Sequence, residues 1–263
     1  MALEMNVEMK NSDDLLKVEG ICKSFGKMLA VNQCSLEVSK GTITALIGPN
    51  GAGKTTLFNL ISGFHKPDTG KVFLKGDRID GLRPDKIFHK GLIRTFQISR
   101  ELEKMTLLEN LMLVPGQQEG EIIWNAWFRP WRVRAQEKQI KERALETLRF
   151  VELFHLKDEY AGNLSTGQKR LLEIARTMMA DPEIVLLDEP GAGVNPTLMN
   201  KLIGYIHQLN GRGITFLIVE HNMELVMTIC DPIIVMNAGS ILTQGTPPQI
   251  RNDERVINAY LGD

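Results

Sequence analysis

Gly48-Pro49-Asn50-Gly51-Ala52-Gly53-Lys54-Thr55-Thr56 decides the reading of this chain. An apolar run, Ile43-Thr44-Ala45-Leu46-Ile47, leads into it, and a helix-like stretch, Thr55-Thr56-Leu57-Phe58-Asn59-Leu60-Ile61, leads out. The pattern G-x-x-x-x-G-K-[ST] between a strand and a helix is a phosphate cradle. Its glycines let successive backbone N–H groups turn inward as a nest for phosphate oxygens. The helix that follows points its N-terminal partial positive charge at the same anion. Lys54 can reach the outer phosphates, and the Thr55 hydroxyl can ligate Mg²⁺. A plain Gly-rich turn would need neither the Lys-Thr pair nor these flanks. The stretch therefore predicts a nucleoside triphosphate site.

The 263 residues carry 31 Lys and Arg against 32 Asp and Glu, for a net charge of −1. That balance argues against a chain whose main task is gripping nucleic-acid phosphates, which usually demands a basic stripe. The length allows one large α/β domain or two small ones, with roughly three quarters of the unfolded surface buried. Cys22, Cys34 and Cys230 are odd in number and lack C-x-x-C spacing, as reduced core thiols would. No apolar run approaches the roughly 18 residues of a membrane span. Residues 1–14 carry Glu4, Glu8, Asp13 and Asp14 without an apolar stretch, so they read as a frayed tail and not a secretory signal.

Residues 15–25 and 28–38 read as two strands broken at Gly26-Lys27, and Val72-Phe73-Leu74 with Gly76-Asp77 as a strand and turn. They predict a small antiparallel sheet beside the nucleotide core. Residues 84–93 read as a short helix. Thr106-Leu107-Leu108-Glu109 is a capping box that opens another. Residues 115–130 read as irregular, with Trp124, Trp127 and Phe128 in them and Trp131 just beyond. Ile140, Ala144, Leu145, Leu148 and Val151 then fall at helical spacing. The block 98–163 thus differs from its flanks and reads as a helical subdomain. Beyond it the α/β pattern resumes: a helix over 168–180, an apolar strand over 184–187, a helix opened by Asn195-Pro196 and a strand over 214–219. A helix over 222–230, a hairpin around Ala238-Gly239 and a last short helix after Thr246-Pro247 complete the chain.

Leu186-Leu187-Asp188-Glu189 places two acids at the carboxyl end of a buried strand. An acid in that position holds Mg²⁺ in phosphate-loop enzymes, and its neighbour, facing the other way, is placed to polarise an attacking water. Val219 ends another strand and is followed by Glu220-His221; His221 could hydrogen-bond a γ-phosphate there, while Glu220 reads as loop. Phe25 is an aromatic at a strand end, suited to base stacking or to packing. Leu164-Ser165-Thr166-Gly167-Gln168 opens a helix, and Ser165 serves equally as an N-cap or as part of an anion site. The residues alone leave both pairs of alternatives open.

Taken together, these stretches resemble the ATP-binding-cassette (ABC) ATPases, from about residue 15 to the end. Residues 48–55 resemble the Walker A loop, and residues 184–188 resemble Walker B with Glu189 as the catalytic glutamate. Gln97 resembles the Q-loop glutamine, Phe25 the A-loop aromatic, His221 the switch histidine and residues 164–168 the signature loop. The resemblance implies an α/β fold: a P-loop core with a mainly parallel sheet, an antiparallel β subdomain and a helical subdomain. It implies ATP and Mg²⁺ as cofactors. Gly48, Pro49, Asn50, Gly51, Ala52, Gly53, Lys54, Thr55 and Thr56 would bind nucleotide with Phe25. Thr55, Gln97 and Asp188 would serve the metal, and Glu189, His221, Lys54 and Gln97 the hydrolysis. Ser165, Gly167 and Gln168 would complete the site of a second ATPase subunit facing the first head to tail.

Two departures stand out. Thr166 replaces the first signature glycine, which would cost on the order of 1–2 kcal/mol if the position were left-handed. Asn195 stands where the D-loop usually ends in Asp. The stretches Arg94-Thr95-Phe96-Gln97, Gly193-Val194-Asn195-Pro196 and Val219-Glu220-His221-Asn222-Met223, with the Trp-bearing insertion, resemble the longer ATPase of bacterial branched-chain amino acid importers. That implies separate membrane permeases, an upstream solute-binding protein and a peripheral place on the cytoplasmic face of the membrane, with no nucleic-acid partner. Urea or amide import, lipid export, or a non-transport cassette protein are the alternatives. The Trp-rich stretch itself either packs within the helical subdomain or meets the permeases or the lipid surface.

Overall fold

Strand alternation starts the fold. The computed structural model describes residues 14–95, 102–116, 118–121 and 123–261. Residues 1–13 and Gln97 lie outside the described residues; Asp14, expected in the N-terminal tail, instead opens the first strand, where it pairs with Ser39. Leu16, Val18 and Ile21 are buried on β1 (Asp14–Phe25), which turns at Gly26-Lys27 into β2 (Met28–Ser39), with Phe25 opposite Met28. β3 (Ile43–Ile47) is buried along its whole length and feeds α1 (Lys54–Ile61). β4 (Thr69–Leu74) and β5 (Asp77–Arg78) complete an antiparallel sheet of order β2-β1-β4-β5.

The helix expected over 84–93 is shorter. α2 (Pro84–His89) stops before Gly91, whose φ of +93° ends it, and β6 (Leu92–Arg94) follows. Leu92, Ile93 and Arg94 pair in parallel with Ile184, Val185 and Leu186, so sheet pairing overrides the helical pattern there.

α3 (Leu107–Met112) begins at the predicted capping box: Thr106 accepts from the Glu109 N–H while Glu109 accepts from the Thr106 N–H. α4 (Ile123–Phe128) occupies the stretch expected to be irregular, and α5 (Pro130–Phe150) runs back from it. α6 (Thr166–Met179) lies beyond the 98–163 block but closes the same core, with Leu107, Leu111, Ala144, Leu148, Leu172 and Ala175 buried together.

The remaining elements alternate. β7 (Ile184–Asp188), α7 (Pro196–Gly211), β8 (Thr215–Val219), α8 (Met223–Ile229), β9 (Ile233–Asn237) and β10 (Ser240–Gly245) lead to α9 (Pro247–Arg251) and α10 (Glu254–Leu261). α10 lies beyond the last helix that the sequence predicts; Val256 is buried on it, while Ile257, Tyr260 and Leu261 are exposed. The second sheet has the order β10-β9-β3-β8-β7-β6, parallel from β9 to β6 with β10 antiparallel at one edge.

Its strands split their side chains by the period of two. Ala45, Ile47, Val185, Leu187, Phe216 and Ile218 face one helical layer. Leu46, Leu186, Leu217 and Val219 face the other way, onto α1 and the antiparallel sheet. α1 is therefore held between two sheets, through Leu57, Phe58, Leu60 and Ile61. That clamp fixes the helix whose N-terminus faces the phosphate cradle.

Candidate functional site

Three strand ends meet at one edge of the parallel sheet. β3 ends at Ile47 and β8 at Val219, with Leu46 beside Val219 in register and Asp188 of β7 on Val219's other side. The loop after β3 is clamped on two sides. A Cβ on Gly48 would stand 2.0 Å from the Met236 carbonyl oxygen, and one on Gly53 2.4 Å from that of Ala30. Only glycine lets β9 and β2 approach so closely, and Gly53 takes φ +100° as it enters α1. The Gly239 N–H donates to the Ala52 carbonyl at 3.0 Å, tying the β9–β10 turn to the same loop.

Lys54 is buried, and its Nζ donates to the carbonyls of Gly48 at 2.7 Å and Pro49 at 2.9 Å. Burial lowers its pKa from the ordinary lysine value, while the charges of Glu189 and Asp188 pull the other way. Thr55 is exposed. Phe25 sits at the tip of the β1–β2 hairpin, 41 % exposed, edge-on to His65 with ring centroids 5.3 Å apart. β2 passes over Gly53 at Ala30, so that hairpin runs beside the phosphate loop.

Asp188 does not stand alone. Its Oδ2 accepts from Arg94 Nη2 at 2.9 Å, and both side chains are nearly fully buried. Arg94 Nη1 also donates to Asn59 Oδ1 on α1 at 2.5 Å.

Strand alternation does not place Glu189. It lies just outside β7 at φ +49°, held there by its N–H donating to the Val219 carbonyl at 2.9 Å. A non-glycine residue in that conformation is strained, a cost that clusters at functional sites. Glu189 Oε1 is 3.2 Å from His221 Nε2, so the residues predicted from two different strand ends do meet.

The predicted signature residues are brought together with one another. Ser165 Oγ accepts from the Gln168 N–H at 3.3 Å, and Gln168 Oε1 accepts from the Ser165 N–H at 2.9 Å. A Cβ on Gly167 would meet Leu198 of α7 at 2.5 Å. None of these contacts runs to the phosphate loop of the same chain, and Ser165 and Thr166 are exposed. Thr166 opens α6 and is not among the left-handed residues, so its substitution for glycine carries no backbone strain. Asn195 caps α7, its Oδ1 accepting from the Leu198 N–H at 2.9 Å.

The ABC transporter family model matches residues 31–192, which span the phosphate loop and the Asp188-Glu189 pair. The chain belongs to the ABC transporter family. A second model, of the branched-chain amino acid ATP-binding cassette transporter, matches residues 240–263. Among curated relatives, a probable branched-chain amino acid transport ATP-binding protein of Archaeoglobus fulgidus is 43% identical over 248 residues, covering 94% of this chain and 95% of that one. A high-affinity branched-chain amino acid transport ATP-binding protein of Pseudomonas aeruginosa is 43% identical over 253 residues, covering 96% and 99%. A crystal structure of the ADP conformation of an ABC transporter's ATP-binding cassette superposes with a TM-score of 0.81 at 38% identity, covering 95% of this chain and 99% of that one.

This ABC ATPase binds and hydrolyses ATP, and its geometry adds two residues that the sequence did not single out. Glu220 is buried, and its carboxylate accepts three backbone N–H groups: Gly191 at 2.7 Å, His221 at 2.8 Å and Asn222 at 3.1 Å. It thereby binds the loop after Glu189 to the turn that carries His221. Its signal was an acid directly after a fully apolar strand, where burial demands partners. Arg94 gave the same kind of signal, a cation closing a buried strand.

Proposed function

We propose that this ATPase powers uptake of branched-chain or similar amino acids through separate membrane subunits. The match of residues 240–263 to the branched-chain amino acid cassette model, together with the 43% identity to transport ATPases of that class, carries the reading. Among the described residues no helix is long and apolar enough to cross a membrane, which fits a peripheral subunit at the cytoplasmic face of the membrane.

The backbone of residues 48–56 takes the phosphates, with Lys54 as the side-chain cation and Phe25 against the base. Asp188 Oδ1 and the Thr55 hydroxyl are hard oxygen donors of the kind Mg²⁺ prefers, and with Asp188 Oδ2 already given to Arg94, Oδ1 is the oxygen left for it. When bound, the ion supplies charge neutralisation for the departing phosphate; Gln97 is the third residue assigned to it. Glu189 takes the proton of the attacking water, and His221, at 3.2 Å, positions its carboxylate. The exposed, capped N-terminus of α6 with Ser165, Gly167 and Gln168 offers N–H groups to the phosphate of a second ATPase subunit.

A groove of about 310 Å³ lies between α2, β6 and α6, with Phe64, Ile87, Phe88, Leu92, Val114 and Leu172 in its walls and Lys169, Glu173 and Arg176 along it. An amphipathic cytoplasmic helix of a permease suits that apolar floor and charged rim. A solute-binding protein delivers the substrate on the far side. The test is ATP-driven uptake by proteoliposomes that hold this chain with its permeases. Leucine, isoleucine and valine should accumulate, and accumulation of urea alone would move the assignment to that related system.

A further inference from the structure

The Trp-rich insertion is the largest feature the ATPase reading leaves without a task. Trp124, Trp127 and Phe128 fall at i, i+3 and i+4 on one face of α4, and Trp131 follows in the first turn of α5, past the break at Arg129. The four side chains cover nothing: they are 70, 81, 62 and 65 % exposed. Trp124 and Phe128 are stacked on each other, centroids 5.7 Å apart and 14° from parallel. Packing within the helical subdomain does not account for this exposure.

Between Glu121 and Glu137 the charge is of one sign. Residues 122–136 contain Arg129, Arg132 and Arg134 and no Asp or Glu, in a chain whose net charge is −1. All three arginines are exposed, and among the described residues none has an ion-pair partner. Indole rings rimmed by guanidinium groups match the interface of an anionic bilayer, where the rings sit at headgroup depth and the cations meet lipid phosphates. The insertion also starts at the wall of the apolar groove. Val114 lines that groove, Gln118 Nε2 donates back to the Met112 and Pro115 carbonyls, and the Glu119 N–H donates to Gln136 of α5 at 2.7 Å. This last point rests on the docking reading of the groove; the charge and exposure do not.

We propose that Trp124, Trp127, Phe128 and Trp131, with Arg129, Arg132 and Arg134, form a footing on the anionic lipid surface beside the transporter. The protein supplies its own probe, because its three tryptophans all lie in this footing. The full-length chain is mixed with vesicles of phosphatidylcholine alone or with phosphatidylglycerol added. Tryptophan emission and co-flotation are both read.

Emission should shift to shorter wavelength, and the protein should float, only with phosphatidylglycerol. Replacing all three arginines (Arg129→Gln, Arg132→Gln, Arg134→Gln) should weaken that partition on the order of a hundredfold. Trp127→Ser with Trp131→Ser should weaken it further while ATP hydrolysis by the isolated chain is kept, which shows that both variants fold. No shift with either vesicle overturns the proposal. So does a shift that appears on raising protein concentration without lipid, which assigns the face to a second copy, or one that needs the permeases in detergent, which assigns it to them. Because no permease is present in the vesicle arm, its failure leaves the groove's docking reading intact.

Discussion

Glu220→Gln isolates the carboxylate that joins two loops of the site. The native group is buried and accepts from Gly191, His221 and Asn222 through both its oxygens, Oε1 to the first and Oε2 to the other two. Glutamine has the same shape but one acceptor oxygen. Whichever way the amide turns, one or two N–H groups face an NH₂ instead. Hydrogen bonds to a charged group contribute about 1.5–3 kcal/mol each, so the expected loss is about 3 kcal/mol. For a chain of this size that lowers Tm by about 6–12 °C. Glu220→Leu removes every acceptor and should cost more than Glu220→Gln. Thermal unfolding followed by circular dichroism, repeated in guanidinium, reads both. The argument fails if the Gln variant melts with the wild type, or if the Leu variant is the more stable of the two. ATP hydrolysis should fall in Glu220→Gln even well below its Tm, because Glu220 places the His221 turn against the loop after Glu189.

Lys54→Ala should lose most ATP binding by calorimetry, since it removes the one side-chain cation of the phosphate loop; tight binding by this variant would show that the loop is misassigned. Glu189→Gln keeps shape but not basicity, so it should bind ATP, hydrolyse it poorly and sediment as a dimer with ATP but not with ADP. Adding Ser165→Arg to that variant should abolish the dimer while ATP still binds, and sedimentation that ATP never changes, with or without a partner ATPase, would refute the shared site. Cys34 and Cys230 are buried, and burial pushes both thiols up to about 12, whereas Cys22 is only partly covered. Alkylation of the folded protein at neutral pH should therefore add one adduct by mass spectrometry, at Cys22, and rapid addition of three would contradict the buried core.

What was legible in the sequence was what is local. The phosphate loop is contiguous, its flanking strand is wholly apolar, and the capping boxes at Thr106 and Ser165 span a single turn of helix. The convergence of residues 48–56, Asp188 and His221 also followed, because parallel strands deliver their carboxyl ends to one edge. Glu220 is not legible in the sequence because its partners are backbone N–H groups, one of them 29 residues away, and no side-chain pattern marks them. Arg94 pairs with an acid 94 residues downstream, and only the sheet order makes them neighbours. Leu92 and Ile93 continue the apolar pattern of the helix before them, and the stop signal at Gly91 separates them from it. Trp124, Trp127 and Phe128 stand at helical spacing within a stretch whose composition reads as irregular.

The ion pair between Arg94 and Asp188 has a consequence for how distant occupants sense each other. Arg94 holds the carboxylate assigned to the metal, reaches Asn59 on the helix that follows the phosphate loop, and stands in the wall of the apolar groove. One side chain thus touches both the proposed metal site and the proposed docking groove. Positive charge arriving at Asp188 Oδ1 draws on the same carboxylate charge that the guanidinium holds through Oδ2. A helix pressed into the groove acts on the guanidinium from the other side. Thermodynamic reciprocity then requires that whatever the first event does to the affinity of the second, the second does to the first by the same factor. An arginine that is buried only to neutralise an acid would not couple the two ends, but this one forms part of both.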